Sequence, residues 1–444
     1  MKLYSVDLDQ MLEARERRAE IQNNMLRGAG PDQCLVCLTL NIAGDIKRTP
    51  MTKMLFDHGA AVIEAVTAAF GFGVTERRFL DEATGSEGFW LINDDGTKVK
   101  ELLEVLEDIS PEGRLYDFDV IVQGGAKLSR AEPRRCLICD APAAECARSR
   151  RHGLEKVRKT TDKILTEFCA RELAKEAHRS LLDELFTTPK PGLVDLVSNG
   201  AHSDMDVEIF QKSADALTGY FKDAARMGMD GCSMKELRAR GRRAEKKMFA
   251  VTGGVNTHKG LIYSMGLLLA GMGRCLREGG SCIDHAASLA REDAEEQLGR
   301  ACAAPDTNGG AVYKTYGARG ATGEATAGFP DAVFTLSRLS YYREQGYDDS
   351  AALALCDCMA ELEDTNLLHR GGEKGLEYVR ETAARISGMQ PDERIWELYR
   401  FDDDLIARGL SPGGSADMLA LALMLERWAK ISANLFTPDR NQAH

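Results

Sequence analysis

Residues 154–189 read LEKVRKTTDKILTEFCARELAKEAHRSLLDELFTTP, and the organisation of the chain turns on them. Helical patterning runs through Glu167, Cys169, Leu173 and Leu182, with neither Pro nor Gly to interrupt it before Pro189. N-terminal to this stretch, short apolar runs alternate with helical segments. C-terminal to it, nearly everything is helical in pattern. The long helix therefore marks a change of fold class, and a domain boundary is expected inside it near Ala170.

Working backward, Cys34–Ile42 (CLVCLTLNI), Gly88–Ile92 (GFWLI) and Phe118–Val122 read as strands, rich in strand formers and bounded by turn residues. Met51–Ala69 and Lys98–Ile109 carry apolar residues at helical spacing. This predicts an α+β domain over 1–170. Working forward, helices are expected over Asp206–Met227, Met234–Val251, Leu261–Arg277, Ser350–Glu363 and Ala416–Ala429. They are joined by loops such as TGGVNTHKG, GARGATGEATAGFP and SPGGSAD. This predicts a larger all-α domain over 171–444, and the protein is multidomain.

Composition narrows the function. The 444 residues are 44% hydrophobic and 28% charged, and no run approaches the ~18 uncharged apolar residues of a membrane span, so no membrane association is expected. The N-terminal MKLYSVDLDQMLEARERRAE lacks an apolar segment and a cleavage site, so the protein is expected in the cytoplasm. There the 12 cysteines default to small buried hydrophobes. A net charge of −12 argues against nucleic-acid binding. Between Lys127 and Lys159, however, 10 Lys and Arg stand against 4 Asp and Glu, which suits an anionic ligand, an acidic partner protein or a solvated helix face.

Within GRLYDFDV (113–120), Asp117 and Asp119 project from one face of a strand, and such a pair can grip a magnesium ion that neutralises a triphosphate. A solvated strand edge is the plain alternative. Cys136, Cys139, Cys146 and His152 form a C-x2-C-x6-C-x5-H array suited to structural zinc, with packing cysteines beside an Arg-rich loop as the alternative. Cys34 and Cys37 lie on opposite faces of a strand and read as core.

The order LEARERRAEIQ, CLTLNIAGDIKRTPMTKMLFDHG, EGRLYDFDV, PRRCLICDAPAAECARSRRH resembles the citrate lyase holo-carrier synthase family over about residues 8 to 157. The resemblance implies a nucleotidyltransferase-like activity. Phosphoribosyl-dephospho-CoA passes from a triphosphate donor to a serine of the citrate lyase acyl carrier protein (gamma subunit), with release of pyrophosphate. It carries over Arg15, Arg18, Asn41, Lys47, Arg114, Asp117, Asp119 and the Cys136–His152 loop as functional positions. Arg15, Lys47 and Arg114 are then candidate phosphate ligands.

In the helical part, TPKPGLVDLVSNGAHSDMD (188–206) cannot be mostly helix and offers Lys190, Asp195, Asn199, His202, Asp204 and Asp206. Helix capping competes as the role of Asp204 or Asp206. VTGGVNTHKG (251–260) presents Gly253, Gly254, Asn256, His258 and Lys259 before a helix whose first amides can receive phosphate, although its spacing is not that of a P-loop. DTNLLHRGG (364–372) supplies Asp364, Asn366 and Arg370, and SPGGSAD supplies Ser415 and Asp417, which singly are ordinary caps.

Together with GARG, which contains Arg319, these loops occur in the order of the triphosphoribosyl-dephospho-CoA synthase family, and the resemblance covers roughly residues 175 to 436. It implies that ATP and 3′-dephospho-CoA react with loss of adenine. GARGATGEATAGFP is longer than the compact GARGEA-type segment of that family, which bears on the place of Glu324. The chemistry asks for a base, an acid, and magnesium with cations for the triphosphate. Asp195, Asp204 and Asp206 are expected in metal or base work, His202 or His258 in proton transfer, and Lys190, Lys259 and Arg370 on phosphate. Two competing readings are a zinc-binding interaction protein with a helical scaffold, and an N-ribosyl hydrolase or ADP-ribosyl-type transferase.

Overall fold

The computed structural model describes residues 4–139, 141–303 and 308–436. It divides into two compact units, one of residues up to Cys169 together with those from Ile431 onward, the other spanning Ala170–Lys430. The segment from Ile431 thus falls with the first unit instead of the helical one. There Arg48 donates from Nη1 to the Leu435 carbonyl at 2.5 Å, a contact no local pattern announces.

The first unit runs α1 (Leu8–Arg27), β1 (Cys34–Leu40), α2 (Pro50–Phe70), β2 (Gly73–Glu82), β3 (Gly85–Asn93), α3 (Gly96–Asp108), β4 (Tyr116–Val122), α4 (Ala143–Ser149) and the start of α5 (Leu154–Phe186). The strands form one antiparallel sheet in the order β2-β3-β1-β4. Three strands fall where the pattern puts them. The fourth, β2, was not expected: GVTERRFLDE is almost wholly polar, and it forms as an exposed edge strand paired along β3. Helix α1 starts from a capping box between Asp7 and Gln10, and Thr49 followed by Pro50 starts α2.

Strand alternation divides the sheet into two faces. Leu35, Cys37, Phe89, Leu91 and Ile121 pack with Ile21 and Met25 of α1. On the other face Gly59 of α2 lies against Leu38 and Tyr116, and Gly96 of α3 against Cys34 and Val122. Cys34 and Cys37 are both buried, as expected of core residues on opposite faces. The α1-side face turns polar at one end. Thr39 pairs with Asp117, and Glu87 lies two residues before Phe89, so all three point the same way.

The second unit holds the rest of α5, then α6 (Val207–Met229), α7 (Met234–Val251), α8 (Lys259–Glu278), α9 (Cys282–Arg291), α10 (Ala294–Ala303) and α11 (Asn308–Tyr316). After these come α12 (Gly320–Ala327), α13 (Pro330–Glu344), α14 (Ser350–Glu361), α15 (Thr365–Ser387), α16 (Pro391–Arg408) and α17 (Gly413–Ser432). Helix α8 is buried on nearly all sides and sits centrally. Its Gly273 approaches α6 so closely that a Cβ would stand 2.2 Å from the Ala225 carbonyl oxygen. One segment departs from the sequence reading. GARGATGEATAGFP is not an open loop, since it contains α12, closed by Gly328 and followed by Pro330 at the first turn of α13.

Candidate active sites

The polar end of the α1-side face opens into a cavity of about 870 Å³ within the first unit. Arg15 and Arg18 of α1 line it, with Asn41 and Lys47 of the β1–α2 segment, Glu87 and Asp117 from the sheet, and Cys136, Cys146 and His152. Arg18 donates to both oxygens of Glu87, at 3.0 and 2.6 Å, which fixes its guanidinium at the rim. Lys47 donates to the Ile42 carbonyl at 2.6 Å, and burial holds its ammonium below the ordinary lysine range.

Asp119 shares the face of Asp117 but points into a pair with Lys127 at 2.6 Å and lies off the cavity lining. Arg114 also misses the lining. It donates to the carbonyls of Arg135 and Cys136, at 2.5 and 2.6 Å, so it holds the cysteine loop in place and is not free for a phosphate.

Cys136, Cys139, Cys146 and His152 place one donor atom each so that all lie within 4.8 Å of one another. Cys139 Sγ is 3.6 Å from Cys146 Sγ and 3.2 Å from His152 Nε2. Three sulfurs and an imidazole at these separations fit tetrahedral Zn²⁺.

In the second unit a cavity of about 720 Å³ is bordered by the N-terminal residues of α8 (Lys259, Gly260), α11 (Asn308, Gly309, Gly310), α12 (Gly320, Ala321, Thr322) and α15 (Thr365, Asn366). The residues before α8 and α12, His258 and Arg319, do not cap them with their side chains, although the Lys259 amide donates to Asn256 Oδ1 at 3.3 Å. The first-turn amides of both helices and the partial positive charge of each helix start face the same space. Arg238 and Arg242 of α7, together with Lys259 and Arg319, add full charges. Arg238 is bidentate to Asp293 at 2.9 and 2.8 Å, Lys259 pairs with Glu245 at 2.6 Å, and Arg319 with Glu295 at 2.5 Å. Phe249, Tyr263 and Tyr313 supply aromatic surface. The arrangement suits a polyanion bearing a planar base.

Residues 6–168 match the family model described as apo-citrate lyase phosphoribosyl-dephospho-CoA transferase, and residues 170–435 that of ATP:dephospho-CoA triphosphoribosyl transferase. Protein CitXG of Haemophilus influenzae is 32% identical, covering 94% of this chain and 95% of that protein. Protein CitXG of Leuconostoc mesenteroides is 31% identical over 95% of this chain and 97% of its own length. The chain belongs to the CitXG family. A separate 2-(5″-triphosphoribosyl)-3′-dephosphocoenzyme-A synthase of Klebsiella pneumoniae is 38% identical over 58% of this chain and 90% of its own length. The chain is thus a bifunctional transferase of citrate lyase prosthetic-group biosynthesis and attachment.

Of the synthase-half expectations, Asn256, Lys259, Arg319 and Asn366 line the cavity. Most of the others serve the architecture around it. Asp195 accepts from the backbone N–H groups of Lys190, Val197 and Ser198 at 3.0, 2.7 and 2.9 Å, so it organises its own loop and is not placed to act as a base. Asp206 caps α6 through the Ile209 amide. Asp204 and Asn199 are exposed. Lys190 is only 2% exposed and donates to Glu184 at 2.5 Å, which removes it from phosphate binding.

Arg370 donates to the Ala201 and Gly409 carbonyls at 3.0 and 3.3 Å and lies 3.1 Å from His202 Nδ1. His202 Nε2 is in turn 2.9 Å from Ser411 Oγ, so this pair also holds loops together.

His258 bonds Ser213 Oγ at 2.7 Å. Burial, with Lys190 nearby, pushes the imidazole down to about 3, so it stays neutral and cannot serve as an acid. Gly253 and Gly254 take positive φ in the turn that ends α7, away from the lining.

Asp364 caps α15 through the Asn366 amide and also accepts from the Ser415 amide, at 2.8 and 2.9 Å, tying the starts of α15 and α17 together. Burial, with Glu184 and Asp364 nearby, holds Asp417 well above the usual carboxylate range. Glu324 accepts from the Asp331 and Ala332 amides at 2.9 and 3.1 Å and starts α13. Burial pushes it up to about 7. Sequence reasoning missed Arg238, Arg242, Glu245 and Tyr263. The available signal was the cationic run of α7, KELRARGRRAEKK, which resembles an ordinary solvated face until the fold turns one side inward.

Proposed function

We propose that the two cavities are consecutive active sites. The second-unit cavity takes ATP and 3′-dephospho-CoA and releases adenine, forming 2′-(5″-triphosphoribosyl)-3′-dephospho-CoA. The first-unit cavity takes that product and passes its phosphoribosyl-dephospho-CoA part to a serine of the citrate lyase acyl carrier protein (gamma subunit), releasing pyrophosphate in a nucleotidyltransferase-type step. The convergence of the starts of α8, α11, α12 and α15 with Arg238, Arg242, Lys259 and Arg319 on one cavity carries this reading. It offers a triphosphate preorganised donors in a partly desolvated site.

In the first unit, Arg15, Arg18 and Lys47 face the donor's phosphates. Asp117 fits one side of a magnesium–triphosphate complex, since Mg²⁺ is commonly held by one or two carboxylates plus substrate phosphates. Held there, it would help neutralise charge on the phosphates. Asp119 keeps Lys127 in place behind it. Cys136, Cys139, Cys146 and His152 would hold a structural zinc, which would support the cavity wall. A cytoplasmic setting fits the free cysteines, and no helix among the described residues is long and apolar enough to cross a membrane.

The test is incubation of the purified protein with ATP, magnesium, dephospho-CoA and the apo-carrier. Free adenine and a serine-linked phosphoribosyl-dephospho-CoA on the carrier are expected by mass spectrometry. ADP or AMP without adenine would replace glycosyl transfer by ordinary phosphoryl transfer. Within the synthase half, Lys259→Met is expected to raise the KM for ATP by about tenfold, with a smaller change in kcat, because a phosphate contact made in ground and transition states alike acts mainly on binding. Unchanged ATP dependence would remove Lys259 from the phosphate site.

A further inference from the structure

Joining dephospho-CoA to the ribose of ATP requires that a ribose hydroxyl of the coenzyme lose its proton as it attacks. Of the carboxylates and histidines that the sequence suggests for this, Asp204 and His202 lie off the lining of the second-unit cavity and the others are held elsewhere. Asp195 is bonded to three backbone amides, Asp206 caps α6, and His258 is locked on Ser213. Among the described residues, the lining of the second-unit cavity contains one carboxylate, Glu245, and no histidine.

Glu245 projects from α7 on the same helical face as Arg238, Arg242 and Phe249, which also line the cavity. Its side chain is 26% exposed, open enough to meet a substrate, and one oxygen lies 2.6 Å from Lys259 Nζ at the start of α8. The charged groups sharing the cavity with it are Arg238 and Arg242 of α7, Lys259 of α8 and Arg319 before α12. The pair sets the carboxylate beside the place assigned to the triphosphate.

Resting on that assignment of the cavity to ATP and dephospho-CoA, we infer that Glu245 is the general base of the synthase reaction. The hydroxyl O–H bond breaks with its proton passing to a Glu245 oxygen. The freed electron pair forms the new O–C1″ bond to the ribose of ATP. The C1″–N9 bond breaks with its pair going to adenine, which leaves carrying one proton, returned from Glu245 directly or through water. No oxidant or further reactant enters.

A positioned general base contributes about 10²- to 10⁴-fold to rate. Glu245→Gln is therefore expected to lower kcat for adenine release by that order, leave the KM for ATP within a few-fold, and abolish the acidic limb of the kcat–pH profile. Glu245→Asp should restore part of the rate together with that limb. The variant should still modify the apo-carrier when supplied with preformed triphosphoribosyl-dephospho-CoA, which checks that it is folded.

A Gln variant with kcat within threefold of wild type and the same pH profile would overturn the assignment. So would a variant whose full rate returns at raised magnesium, because Glu245 would then be a metal ligand. If the wild-type protein itself released no adenine from ATP and dephospho-CoA, the reading of the whole cavity would fall, an outcome distinct from failure of Glu245 alone.

Discussion

Asp117→Asn is expected to depress carrier modification by about 10³-fold while adenine release continues at the wild-type rate, the order lost when a group that neutralises a transferring phosphoryl is removed. Asparagine keeps the size of the side chain and its place on β4 beside Thr39. What it removes is the negative charge at a cavity rim carrying Arg15, Arg18 and Lys47. A magnesium–triphosphate complex needs that charge as an anchor, and an amide oxygen is a poor substitute.

Asp119→Asn should cost far less, since Asp119 faces Lys127 and lies off the lining. The two activities are read separately, adenine by chromatography and carrier by intact mass. Loss of both in a folded Asp117→Asn variant would contradict two independent sites. Transfer at more than a third of the wild-type rate would take Asp117 out of the donor site.

Loss of the zinc proposed at Cys136, Cys139, Cys146 and His152 is expected to slow carrier modification by at least about 100-fold, by a different route. Cys139 sits between Cys146 and His152 at 3.6 and 3.2 Å, so Cys139→Ser takes out a central ligand. Structural zinc sites contribute apparent binding free energies of about 10–16 kcal/mol in isolated finger peptides, far more than a short loop gathers from its own contacts. Cys136, Cys146 and His152 are part of the cavity wall, and Arg114 ties the same loop to the segment that enters β4. Loosening the loop therefore removes one side of the donor site. Protein prepared without chelator should hold one zinc per chain, and Cys139→Ser should hold none and transfer at least about 100-fold more slowly, with adenine release intact. A zinc-free wild-type protein with full transfer activity would sink the assignment.

Local patterning alone marked the change from mixed to helical architecture, because period-2 and period-3.6 patterns are local and residues 154–188 contain neither Pro nor Gly. It also determined the zinc-type array, whose donor types and spacing are one-dimensional facts, and the starts of α6 and α8, where Asp206 and the GGVNTHKG turn leave little choice. The polar strand β2 escaped it, since a strand exposed along an edge owes its conformation to pairing with β3 rather than to apolar alternation.

Which polar groups reach a cavity depends on packing between distant parts of the chain. Asp195, Lys190 and His258 looked chemical in sequence, but burial requires every such group to find partners, and the fold supplies them from backbone amides, Glu184 and Ser213, while the exposed Arg370 is taken up by loop carbonyls. Glu245 and Arg242 looked like an ordinary solvated helix face. Packing turned one side of α7 toward the starts of α8, α11, α12 and α15, and a cavity formed between segments as far apart in the chain as Tyr220 and Asn366. No local spacing records a meeting of that kind.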